Sequence, residues 1–482
     1  MVAVFMLSRS GSRVSGINLS GIRYQGGNGY ARLQQGLIFP LSVRQFVFSF
    51  SLMDKMTSRD RVKKALNFAP VDRLPQDVSG QRAAGMTGIA YVRLRRYLGY
   101  PVSSVYIYDV PQQLALIEPE IMAELGGDTL GLERAYLHED CAWQDWVLSD
   151  DTPCKIPASQ KVSEVAGDWY LLAEDGRRLA VRRRGAPYFQ QIYFPLAERD
   201  LQTDSFADID EQCQYVIGTE APTPNGSWQI TDMEWQKFAA QARHLRATTT
   251  KAIIGQFGGS LFTLGQMLCG PERYLTALVQ YPQAIERLTE YLLEMHLTHL
   301  EQWLKAVGQY LDVIVFEDDL GGQTAPFIAP ATYRRFFKDR HAKLWQRTHD
   351  LTAAKIMLHT CGAVAPLLDD LLEAGMDVLN PVQIDCVGME PAELKRRYGG
   401  RLVFWGGACH PLYLLPPHSP QEVTAHARRN AALMQAGGGF VLQAPHNILP
   451  DAAPENVVAL FKALSIPTNA EPRRAGFGIS SG

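Results

Sequence analysis

The chain has 482 residues, 46% hydrophobic and 20% charged, and its 47 basic and 50 acidic side chains leave a formal net charge of −3. That balance gives no reason to expect nucleic acid or an anionic membrane as a partner, and no run of about 18 apolar residues predicts a membrane-spanning helix. Seven cysteines, at 141, 154, 213, 269, 361, 386 and 409, are odd in number and widely spread. This argues against a disulfide framework and for reduced thiols in the cytoplasm.

The first 53 residues carry five arginines (9, 13, 23, 32 and 44) and no Asp or Glu. Three readings compete: an organellar transit segment, a disordered extension, or a natural start at Met53 or Met56. We favour the late start. From Met56, Thr57 or Ser58 can cap a helix with Asp60 in its first turn, followed by amphipathic periodicity. Residues 1–55 are therefore treated as a disordered or mis-assigned extension. Residues 56–467 form the folded unit, and 468–482 a disordered tail.

Short apolar runs then alternate with helical stretches. The runs are "RLPQDVSG", "GGDTLGL", "KAIIGQFGG", "LDVIVFEDDLGG", "AKIMLHTCG", "MDVLNPVQ", "RLVFWGGACHP" and "GFVLQAPHN". Strands that are apolar on both faces and separated by helices predict a parallel sheet. Eight such units predict a (β/α)8 TIM barrel of the α/β class. The alternative is an open doubly wound sheet, but no G-x-G-x-x-G follows an early strand. Residues 135–200 break the rhythm. Period-two alternation around Asp175-Gly176 predicts a hairpin, so this segment reads as a β-rich insertion in an early βα loop, either a rim for the active site or a surface ornament.

Barrel chemistry sits at strand C-termini. The polar residues there are Glu317, Asp318 and Asp319; His359 and Cys361; Asn380 and Gln383; Cys409; and His446 and Asn447. Gly258 and Gly259, following Phe257, mark a place where backbone can approach a ligand closely. His359 and Cys361 are two residues apart on an emerging strand and can point the same way. With Cys409 they form a three-donor set suited to zinc, leaving a fourth position for water, substrate or a carboxylate such as Glu317. The bland alternative is a packed histidine beside a buried thiol. The acidic triplet either faces a cation or caps a helix. His446, at a strand end beside a helix entrance, suits acid/base work. His296 and His299 are assigned to packing.

Together these residues resemble the uroporphyrinogen decarboxylase superfamily over about Thr57 to Leu464. The resemblance lies in "TSRDRVKKALNFAPVDRLP", "IIGQFGGSLFTLGQMLCG", "GGACHP" and "GGGFVLQAPHNILPDAAPENV". It implies a (β/α)8 barrel and two activities. One branch decarboxylates a tetrapyrrole without metal. The other comprises corrinoid-dependent methyltransferases that hold zinc through a His-x-Cys…Cys pattern. His359-Thr360-Cys361 matches the methyltransferase half. "SGQRAAGMTG" offers one arginine, Arg82, where the decarboxylases carry several. The methyltransferases place the second cysteine on the last strand, whereas this chain has His446 there and Cys409 one strand earlier. A zinc site then needs Cys409 to reach across or His446 to serve as ligand.

The expectation is a zinc-dependent methyltransferase moving a methyl group between a corrinoid on a partner protein and a thiol or pterin. His359, Cys361, Cys409 and Glu317 are expected at the metal. Asp318, Asp319 and His446 are expected to be catalytic, and Phe257, Gly258, Gly259, Asn380, Gln383 and Asn447 to bind the small-molecule substrate. The alternatives are a metal-free decarboxylase and a non-catalytic corrinoid or tetrapyrrole binder.

Overall fold

The computed structural model describes residues 56–101, 105–133, 142–218 and 231–464. The extension 1–55 and the tail from 465 lie outside the described residues. Eight parallel strands form a nearly closed barrel: β1 (Gln76–Asp77), β2 (Thr129–Gly131), β3 (Ala252–Gly258), β4 (Val313–Glu317), β5 (Lys355–His359), β6 (Val378–Asn380), β7 (Val403–Trp405) and β8 (Phe440–Gln443). The spatial order is β1-β8-β7-β6-β5-β4-β3-β2. Across the remaining seam, Asp128 N donates to Gln76 O (2.7 Å) and Thr129 Oγ1 to Asp77 Oδ1 (2.8 Å). All eight apolar runs expected to be strands contribute one barrel strand each.

Strand parity organises the interior. Ala252, Ile254, Val313, Val315, Met357, Val378, Val403, Trp405 and Val441 form one buried cluster. Their neighbours Ile253, Ile314, Phe316, Ile356, Leu358, Leu379, Phe404 and Leu442 belong to a second, larger cluster that includes the helices. One set fills the barrel and the other meets the helical ring. The opening helix Ser58–Leu66 adds Val62, Ala65 and Leu66 to the inner cluster and so plugs the N-terminal end. Thr57 caps it, accepting from Asp60 N (3.1 Å). Each buried Val or Leu of this plug contributes about 1.5–3 kcal/mol relative to exposure.

The same parity extends one step upward. Gln256, Glu317, His359, Asn380 and Gln443 continue the inward rows of β3, β4, β5, β6 and β8. They form a polar layer above the apolar interior, at the strand ends where barrel sites lie. Glu317 is in register with His359, and His359 with Asn380.

A β-rich insertion lies between β2 and β3. Lys161–Val165, Asp168–Leu172, Arg178–Arg182 and Gln190–Gln191 make one antiparallel sheet. Gly176, at φ +85°, turns the Asp168–Leu172/Arg178–Arg182 hairpin. A second sheet joins Trp143–Val147 and Pro153–Pro157 to Val105–Asp109 and Leu114–Ala115. Those last two strands precede β2, so the β-rich part draws on two βα connections. The short run 105–115 carries too little alternation to be read as a strand pair from sequence. Among the described residues no helix is long and apolar enough to cross a membrane.

Candidate metal centre

His359 closes β5 and points into the polar layer. Its Nδ1 lies 3.0 Å from Asn380 Oδ1. Asn380 is fully buried, and its Nδ2 donates to Trp405 O (3.1 Å) and Gln443 Oε1 (2.8 Å). A main-chain carbonyl can only accept, so the amide is fixed with its oxygen toward His359. His359 Nδ1 must then carry the proton, which leaves an Nε2 lone pair. That nitrogen is 3.6 Å from Cys361 Sγ.

The turn after Cys361 needs glycine. Gly362 has φ +88°, and a Cβ there would lie 2.3 Å from Gly321 O. Three bonds hold the turn: Cys361 N to Asp319 Oδ1 (2.9 Å), Gly362 N to Gln383 Oε1 (2.5 Å) and Ala363 N to Gly322 O (2.7 Å).

His446 follows β8 and faces His359 edge-on, with ring centroids 5.6 Å apart. Its Nδ1 lies 2.5 Å from Asn447 Oδ1, so a second asparagine partners its inner nitrogen. One ligand atom from each of His359, Cys361 and His446 lies within 4.8 Å of the others. Burial, with His359 alongside, pushes His446 down to about 4. Burial, reinforced by the carboxylates of Asp319 and Glu317, pushes the Cys361 thiol well above its ordinary range. His446 is therefore a neutral imidazole at physiological pH, and the Cys361 thiol lies beside carboxylates, a combination that favours a cation.

Two imidazole nitrogens and one sulfur are the donor chemistry of zinc. Bond lengths of about 2.0–2.1 Å to nitrogen and 2.3 Å to sulfur give a tetrahedral N···S edge of about 3.6 Å. The His359–Cys361 separation equals that edge, so the residues present fit the metal.

Other candidate residues sit elsewhere, for reasons parity explains. Cys409 does not join the group. It is buried in the core, with its sulfur 3.4 Å from His410 O. Asp318 lies between inward Glu317 and Asp319 and points outward into the helical layer. Its carboxylate accepts from the N–H groups of Leu261, Phe262 and Thr263, at the start of helix Phe262–Cys269, and from His341 Nε2 (3.2 Å). Burial opposes its charge, but His341 and these N–H groups hold it below the ordinary carboxylate value. Its carboxylate thus caps that helix from within the helical layer, away from the His359–Cys361–His446 group.

Glu317 points inward yet bonds to Gln256 and approaches Arg82 Nη1 (3.7 Å), outside the donor group. Asp319 is half exposed and 3.9 Å from His359 Nε2. Phe257 packs on His296, Trp303 and Phe316 as core. A Cβ on Gly259 would lie 2.8 Å from the Phe257 ring, so this glycine serves packing, whereas Gly258 (φ +79°) borders open space. Gln383 braces the Cys361 turn, and Asn380 and Asn447 hold the imidazoles. Arg82 is bound by Asp109 (2.7 Å) and Gly218 O (2.8 Å). Sequence reasoning missed Tyr188, whose hydroxyl donates to Asn447 Oδ1 (2.9 Å) from 259 residues away, and no local pattern marks it.

Fold and site together define a (β/α)8-barrel protein with a His–Cys–His donor group at its mouth. Residues 229–465 match the family model described as uroporphyrinogen decarboxylase (URO-D). Among solved structures, a methyltransferase from Methanosarcina mazei is similar at TM-score 0.50 and 18% sequence identity, over 85% of this chain and 98% of its own. At that identity the likeness is one of fold. A search of curated proteins gives no match.

Proposed function

We propose that this protein is a zinc-dependent methyltransferase that moves a methyl group between a corrinoid, carried on a partner protein, and a thiol or pterin acceptor. The observation that carries the reading is the convergence of His359, Cys361 and His446 at the barrel mouth. Three donors leave one tetrahedral position for an acceptor. The family match and the methyltransferase with the same fold add support.

His359 Nε2, Cys361 Sγ and His446 Nε2 would hold the metal. Bound there, zinc supplies a Lewis acid that keeps an acceptor thiol deprotonated and nucleophilic at neutral pH. Asn380 and Asn447 keep both imidazoles protonated at Nδ1 and aimed through Nε2. Asp319, half exposed beside His359, is the carboxylate best placed to take the acceptor's proton.

The family description also favours a decarboxylase reading. Against it, Arg82 is tied to Asp109 and buried, so it is not available to a polycarboxylated substrate. Metal analysis after zinc reconstitution tests the proposal. One equivalent of zinc in the wild type, lost in Cys361→Ser and His446→Ala, supports it. A folded protein that takes up no zinc but releases carbon dioxide from uroporphyrinogen, indifferent to chelators, overturns it.

A further inference from the structure

His359 and His446 are supported differently. The Asn380 amide is fixed by a main-chain carbonyl within the family-matched segment. Besides His446, Asn447's side-chain amide bonds to two side chains. Its Nδ2 donates to Gln112 Oε1 (2.6 Å), and its Oδ1 accepts from the Tyr188 hydroxyl (2.9 Å). Gln112 is held in turn: its backbone N–H donates to Asp109 Oδ1 (2.8 Å), and Asp109 Oδ2 takes the Arg82 fork. Tyr188 lies in the link between two strands of the insertion sheet, Arg178–Arg182 and Gln190–Gln191. Both Gln112 and Tyr188 lie before residue 229, outside the family-matched part of the chain.

The orientation of that amide decides whether His446 can bind metal. With the oxygen facing His446, Nδ1 carries the proton and Nε2 has its lone pair. Flipped, the NH2 would donate to Nδ1, the proton would sit on Nε2, and His446 could not ligate. The two amide orientations are nearly equal in shape, so hydrogen-bond partners alone choose between them. As placed, the phenol hydroxyl donates to Oδ1 and the glutamine oxygen accepts from Nδ2, the arrangement that goes with the ligating form.

We propose that Tyr188 and Gln112 are positioning residues that complete the metal centre by locking Asn447, and through it His446. The β-rich part of the chain thereby serves the site itself. This inference rests on the zinc reading above.

The test uses the full chain and zinc alone, with affinity measured by competition against a chromophoric chelator and the Co2+ absorption spectrum as a second readout. Tyr188→Phe and Gln112→Met are each expected to weaken zinc binding by about 10–100-fold, the range for outer-shell partners. Asn447→Asp cannot flip, because both its oxygens accept. In that background either substitution should cost less than about twofold, a non-additivity that a merely structural role would not produce. Two routes to Asn447 keep the test open if one variant fails to fold. Wild-type affinity in both variants, or equal losses with and without Asn447→Asp, overturns the inference while zinc binding lost in Cys361→Ser leaves the metal reading intact. A wild type that binds no zinc overturns both.

Discussion

The ends of β5 and β7 look alike as sequence and differ in space. Each presents a cysteine and a histidine within three residues, "HTC" after one strand and "CH" after the other. After β5 the alternation continues unbroken for two residues, so His359 and Cys361 share the inward face and lie 3.6 Å apart. After β7, Gly406 and Gly407 adopt φ +104° and +90°, and a Cβ on Gly407 would meet Val382 Cβ at 2.9 Å. These two left-handed residues reset the side-chain direction. Cys409 turns into the core beneath helix Pro420–Met434, whose Asn430 bonds to Ala408 O (3.2 Å). Burial alone raises the Cys409 thiol to about 12, while Cys361 has burial and carboxylates together. Of these two strand-end cysteines, the one whose backbone keeps the strand's parity is the one that joins the donor group.

The largest effect separates the two cysteines. Cys361→Ser should reduce zinc affinity by more than about 100-fold, exceeding the effect of losing an outer-shell partner, while Cys409→Ser should keep full stoichiometry. Elemental analysis of both purified variants decides it, and zinc lost from Cys409→Ser would erase the contrast.

The acidic triplet offers the same contrast within one strand end. Asp318→Ala leaves His341 and a helix terminus without their buried carboxylate. It should cost about 3–5 kcal/mol in urea unfolding. Asp319→Ala should stay within about 0.5 kcal/mol in stability yet slow methyl transfer by about 100-fold. Equal stabilities for the two would refute the parity argument.

Asn380→Ala should weaken zinc binding by about 10–100-fold through the freed His359 ring, checked by chelator competition. Cys409→Ser should carry a stability cost of about 1–2 kcal/mol, for a hydroxyl placed in the core. A cost near zero would mean that the thiol faces solvent after all.

Much of the fold was legible because barrel strands are apolar on both faces. Runs such as "VIVF" and "KIML" declare themselves without reference to their neighbours. The His359–Cys361 pair was legible too, since residues two apart on a strand point the same way. Tertiary structure alone chose the third donor. His446 and Cys409 were both strand-end groups of suitable chemistry, and the glycine turn after β7 decided against the cysteine. It also sorted the carboxylates, because the register of β4 against β5 puts Glu317 inside and Asp318 outside. The hydroxyl of Tyr188 on Asn447 was beyond reach of any local pattern, because a hydrogen bond spanning 259 residues exists only once the chain has closed the barrel and laid the insertion against its mouth.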